Sequence, residues 1–148
     1  TLKALAIFKE HYSKNMLNKT CPYEGVVDVL KALKEKEIPV GIVSNKFDAA
    51  VKGLRDQFFG AYISTAIGES ANVAKKPAPD TCIEAMKEMQ IGREGTVYVG
   101  DSDVDIMTAK NSGLECISVT WGFRDEEFLL EHGATQIIHK PEKLLEFF

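Results

Sequence analysis

Asp101, Asp103 and Asp105 stand at alternate positions in VYVGDSDVDIMTA, directly after an apolar run, Val97-Tyr98-Val99, that stops at Gly100. Carboxylates crowded into one turn repel one another unless a cation shares them, and a hard cation such as Mg2+ takes oxygen ligands. Two more polar groups close other segments. Ser44-Asn45-Lys46 ends the run Ile38-Pro39-Val40-Gly41-Ile42-Val43, and Lys76 sits in the stiff turn Lys75-Lys76-Pro77-Ala78-Pro79-Asp80. A hydroxyl, an ammonium and a carboxylate brought together suit phosphoryl transfer, because the moving group carries charge on its oxygens and is met by donors and cations. Ser44 and the backbone N–H of Asn45 would donate to phosphate oxygens, Lys76 would neutralise the transferring group, and Asp101 would hold Mg2+ against it. Lys46 is placed to meet an anionic substrate tail.

Each residue also has a plainer reading. Acids near a helix start complement the helix dipole without any metal. Ser44 alone reads as a helix cap, and Lys46 and Lys76 alone as solvated lysines. A calcium loop of EF-hand type fails on its sixth and twelfth positions, which are Ile106 and Ser112 rather than glycine and glutamate. Neither GxxxxGK nor GxGxxG occurs, so nucleotide cradling in those modes is not expected.

The elements that must position these residues follow from periodicity. Val97–Val99 reads as a buried parallel strand feeding a turn and a helix, the place where ligands sit in open α/β sheets. Leu2, Leu5, Phe8, Tyr12 and Met16 recur at helical spacing, and Cys21–Gly25 breaks that pattern. A helix with Val26, Val29, Leu30 and Leu33 on one face precedes the strand Ile38–Val43. A helix from Asp48 to Phe59, a short strand Tyr62–Ile67 and a loop Gly68–Ala74 come next. The proline turn then opens a helix with Ile83, Met86 and Met89. Beyond the acidic turn, Cys116–Val119 is a strand, a Glu- and Leu-rich helix runs to Glu131, Gln136–His139 is a last strand, and Pro141 starts a terminal helix. Strands alternating with short helices predict an α/β fold with a parallel sheet. Right-handed crossovers would bring Ser44, Lys76 and Asp101 to one rim.

Length and composition fit this reading. A chain of 148 residues suits one domain and can bury about two-thirds of its unfolded surface. The 45% apolar and 27% charged content is that of an ordinary globular protein. A net charge of −4 without a basic run argues against a nucleic-acid surface, and no apolar stretch approaches a membrane span. No signal peptide is expected from the opening residues. Cys21, Cys82 and Cys116 lack CxxC spacing and suggest reduced thiols in the cytoplasm, with Cys82 and Cys116 in the core. His11, His132 and His139 form no metal pattern and are assigned to the surface.

VGIVSNK (40–46), KKPAPD (75–80) and VYVGDSDVD (97–105), in that order, resemble motifs two, three and four of the haloacid dehalogenase superfamily. Singly each is weak; three in order with family spacing are specific. TCPYEGV, WGFR and the final GATQII before Pro141 and Leu144-Leu145 are similar to its phosphoglycolate phosphatase branch. The resemblance implies a three-layer Rossmann-like parallel sheet with helices on both faces, and a Mg2+-dependent phosphatase acting on a small phosphorylated metabolite through an aspartyl-phosphate. It implies Ser44 as the motif-two hydroxyl, Lys76 as the motif-three lysine and Asp101 as the metal ligand. Asp105 is implied as the supporting acid, acting on the metal's waters or on Lys76. Asp103 falls at a variable family position.

Motif one, an apolar strand ending in Asp-x-Asp-Gly, has no counterpart before Ser44. It would supply the nucleophile, the acid/base and two metal ligands. Asp101-Ser102-Asp103 follows the serine and lysine motifs and is not expected to replace it. Residues 1–20 are then expected to be the remnant of a helical cap and residues 21–148 the core domain. The chain alone is expected to have negligible phosphatase activity. In the family the absent strand lies between those ending at Ser44 and Asp101. The gap is expected to be closed by an N-terminal segment, by a second chain or by collapse of the two edges. The competing readings are a non-catalytic module that holds phosphate or Mg2+, and a receiver domain. The latter needs acids near the chain start that are absent.

Overall fold

The computed structural model describes residues 3–4, 25–56, 60, 62–63, 65–74, 76–120 and 125–147. Within them the expected alternation holds. Strand β1 is Lys3–Ala4, helix α1 Val26–Glu35, β2 Gly41–Phe47, α2 Asp48–Leu54 and β3 Thr65–Glu69. Helix α3 is Asp80–Met89, β4 Thr96–Gly100, α4 Asp103–Ser112, β5 Glu115–Val119, α5 Glu126–Glu131 and β6 Ile137–Ile138. A terminal helix over Pro141–Phe147 has 3-10 rather than α geometry.

All strand pairings are parallel, in two sheets ordered β1-β4-β5-β6 and β2-β3. The strands alternate between two cores. Ile42, Ala66, Val97, Val99, Ile117 and Val119 pack against Val29, Leu30 and Leu33 of α1 and Leu144 of the terminal helix. Val43, Ile67 and Tyr98 face the other way, onto Cys82, Ala85 and Met86 of α3 and Ala109 of α4. The two-sided burial explains why β4 has no exposed residue and reads as a continuous apolar run. It makes the three-layer arrangement expected from the sequence.

The structure departs from the sequence reading in several places, among them β3, which starts at Thr65 rather than Tyr62 and runs on to Glu69, and α2, which ends at Leu54. Lys3 and Ala4 form a strand, not the start of a helix, and pair with Thr96 and Val97. The N–H and C=O groups along an open β4 edge need partners, and that demand overrides helical spacing. The rest of the expected first helix lies outside the described residues. Strand β2 begins three residues late and runs on through Ser44 to Phe47, because pairing with β3 continues across a register shift from Val43↔Ile67 to Phe47↔Glu69. In α3 the buried face is Thr81, Cys82, Ala85 and Met86, leaving Ile83 exposed. In α4 it is Asp105, Thr108, Ala109 and Ser112, so Met107 faces outward. Among the described residues no ladder joins β2 to β1 or β4. The two sheets meet through their shared cores instead.

Candidate functional site

Gly100 ends β4 and Ser102 caps α4, its hydroxyl accepting from the backbone N–H of Asp105 at 3.4 Å. The turn is too tight for a side chain at 100. A Cβ there would lie 2.8 Å from Asp105 Oδ2 and nearer still to its Cβ and Cγ. Glycine lets the Asp105 carboxylate fold back over the strand end. Its Oδ2 accepts from the backbone N–H of Asp101 at 2.9 Å and from the Ser102 hydroxyl at 3.1 Å. Its Oδ1 accepts from Tyr98 Oη at 2.6 Å and from Lys76 Nζ at 2.8 Å. Both side chains of the Lys76–Asp105 ion pair are fully buried.

Burial by itself would raise the Asp105 pKa. The Lys76 ammonium, the hydrogen bonds from Lys76 and Tyr98 and the Asp101 N–H outweigh it, and hold the carboxyl well below the usual range. Burial, with Asp105 alongside, pushes the Tyr98 phenol well above its ordinary value, so its hydroxyl keeps its proton and donates.

The turn carrying Lys76 is fixed from β2. Asn45 Oδ1 accepts from the Lys76 backbone N–H at 2.6 Å, and Asn45 Nδ2 reaches the Lys76 carbonyl at 3.5 Å. A chain of bonds thus runs from the residue after Ser44, through Lys76 and Asp105, to Asp101. It brings the ends of β2 and β4 to one rim. Ser44, Lys76 and Asp101 are each at most 4% exposed. Lys46 lies within β2, and its side chain is outside the description. Asp103 is half-buried in the first turn of α4. A cleft of about 430 Å3 beside α4, lined by Pro77, Met107 and His132 among others, includes none of the three.

Asp101 offers a hard oxygen ligand at this rim. Asp105 carries four donors, a full complement for a carboxylate, so the role expected of it on a metal's waters finds no support in this geometry. Its contact with Lys76 is the other role that the sequence suggested. Among the described residues no three His, Cys, Asp or Glu side chains converge as a metal site. Sequence reasoning missed Tyr98, which it counted with the flanking valines. The available signal was that a tyrosine buried in a strand needs a partner for its hydroxyl.

The family profile of haloacid dehalogenase-like hydrolases matches residues 2–119. The chain belongs to that family. It is 34% identical over 146 residues to phosphoglycolate phosphatase 1 of Pseudomonas aeruginosa, covering 98% of this chain and 53% of that protein. It is 29% identical to the pyrophosphatase PpaX of Halalkalibacterium halodurans, covering 96% of this chain and 66% of that enzyme. Among solved structures, a candidate phosphoglycolate phosphatase from Lactobacillus delbrueckii subsp. bulgaricus superposes with a TM-score of 0.83 at 42% identity. That match covers 85% of this chain and 53% of the other. The haloacid dehalogenase-like chain therefore spans about half the length of the Pseudomonas relative. No helix among its described residues is long and apolar enough to cross a membrane.

Proposed function

We propose that this chain forms the phosphate-holding part of a Mg2+-dependent phosphatase for a small phosphate monoester of the phosphoglycolate kind. The observation that carries the reading is the buried Lys76–Asp105 pair. Together with the Asn45 clamp it ties the second, third and fourth motif segments into one network. Ser44 Oγ and the Asn45 N–H are the donors for phosphate oxygens, and Lys46 meets the substrate's anionic tail. Lys76 is the cation for the transferring group, and Asp105 positions it. Asp101 would hold Mg2+, which when bound offsets charge on the phosphoryl oxygens. Its remaining oxygen ligands are not supplied by the described residues.

The covalent step needs an attacking carboxylate, and no Asp-x-Asp-Gly precedes Ser44 in these 148 residues. In this proposal that group comes from an N-terminal segment or a second chain entering between β2 and β4, where it would displace β1 from the β4 edge. Residues 1–20, apart from the Lys3–Ala4 strand paired with β4, are the end of a cap, residues 21–148 are the core domain, and the protein works in the cytoplasm. Ser44, Lys76 and Asp101 are deeply buried in the chain by itself, so any phosphate reaches them only once the rim opens, and the competing reading is a module that holds phosphate or Mg2+ without turnover. A phosphate-ester panel with and without upstream sequence tests both. We expect negligible turnover by the 148-residue chain and turnover once an Asp-x-Asp-Gly strand is supplied. Rapid hydrolysis of p-nitrophenyl phosphate by the chain alone would refute the first expectation. Failure of the extended chain on every ester would leave only the holding function.

A further inference from the structure

Tyr98 sits between Val97 and Val99 with no exposure, on the β4 face that packs against α3 and α4. A phenylalanine would fill that space equally well, so the hydroxyl needs another explanation. Its position supplies one. Tyr98 Oη, Lys76 Nζ and Asp105 Oδ1 form a closed triangle with sides of 3.2, 2.8 and 2.6 Å. The hydroxyl gives its own proton to the carboxylate oxygen, and the two oxygens, 2.6 Å apart, together accept from one side of the ammonium.

We propose that Tyr98 is a positioning residue for the Lys76 ammonium. An ammonium has three tetrahedrally disposed donors. With both acceptors of the triangle on one side of Nζ, a further N–H points away from it, and no hydrogen bond among the described residues uses that donor. By donating to Asp105 Oδ1, Tyr98 also takes up part of the carboxylate's charge that would otherwise draw Lys76 inward. The ammonium is left in one orientation with a donor for an anion. The proposal rests on the reading of Lys76 as the anion's cation and adds the residue that aims it.

Tyr98→Phe removes the hydroxyl and keeps the ring. Among the described residues the Lys76 ammonium then has Asp105 as its one acceptor, and an incoming anion competes with the whole of that carboxylate. Loss of one net hydrogen bond corresponds to about a 2- to 10-fold weaker affinity for inorganic phosphate. The decisive readout is the Lys76 side-chain 15N resonance in 15N-lysine-labelled chain, assigned by its disappearance in Lys76→Met. In Y98F this resonance should shift and its hydrogens should exchange faster with water, at nearly unchanged melting temperature. A merely space-filling tyrosine would move neither. An unchanged resonance and exchange rate in folded Y98F overturns the proposal.

Titration with inorganic phosphate separates the two layers. A wild-type resonance that ignores phosphate sinks the phosphate reading, whereas the Y98F comparison decides the role of Tyr98 by itself. Should Y98F not fold, 3-fluorotyrosine at position 98 gives a better donor and poorer acceptor of similar size. The Lys76 resonance must then move, and a stationary one again overturns the proposal.

Discussion

Asp105→Asn keeps the shape of the hub and removes its charge. Four donors converge on this carboxylate, and both partners of its ion pair have zero side-chain exposure. An asparagine leaves the Lys76 ammonium buried without a counter-ion, which typically costs about 3–5 kcal/mol. It also turns one acceptor pair into a donor. Placed on one side, the new NH2 faces the Asp101 N–H; placed on the other, it faces Lys76. Neither partner can reverse its role. Against a total stability of about 5–15 kcal/mol the variant is marginal, and for a domain of this size its melting point should fall by roughly 6–20 °C. The assay is urea unfolding of both proteins by circular dichroism from pH 7 to pH 3.

The sign with pH follows from the depressed Asp105 value. As pH falls below about 5 the unfolded carboxyl begins to take up a proton that the folded one refuses. The stabilisation present at neutral pH is then lost progressively toward the folded value, and this component is missing in D105N. The double variant K76M/D105N removes both charges while keeping a hydrogen-bonding side chain at 105, and should recover part of the loss. A D105N protein within about 1 kcal/mol of wild type at pH 7, with unchanged acid sensitivity, would refute the reasoning, since pair deletions of this kind cost far more.

Gly100→Ala places a methyl group against the Asp105 side chain. We expect about 1–3 kcal/mol of destabilisation by urea titration, together with loss of phosphate binding by 31P NMR. Asn45→Ala removes the 2.6 Å bond to the Lys76 backbone. Faster hydrogen exchange at the Lys76 amide and a stability loss of about 1 kcal/mol should follow. Burial pushes the Cys116 thiol up to about 12 and raises Cys82, so both should resist iodoacetamide at pH 8 in the folded chain and react freely in urea.

Much of this architecture was legible because parallel strands buried on both faces leave unmixed apolar runs, as at Val97–Val99, and because glycine and proline punctuate them. The ends of β2 were harder. Ser44-Asn45-Lys46 is polar, so the sequence suggests a strand end, yet backbone pairing with β3 carries the strand to Phe47. The helical spacing from Leu2 to Met16 gives no hint that Lys3 and Ala4 pair with β4, because the unfilled edge that captures them is a tertiary fact. At the candidate site, residue types suggested Ser44, Lys76 and Asp101. The donors to Asp105 could not be counted before the strand end was seen to fold beneath it. Asn45 was expected to act through its backbone N–H, and its side chain proves to clamp Lys76.

Helix α4 presses Asp105, Thr108, Ala109 and Ser112 inward and leaves Met107 outside. Such a helix gains little from hydrophobic collapse, and most helices this short owe their stability to an apolar face. Its docking is expected to await the partners of Asp105, so that α4 joins the fold late. Mutations along it should quicken unfolding while barely slowing refolding, and the rim that holds the chemistry becomes the last part of the molecule to assemble and the first to come apart.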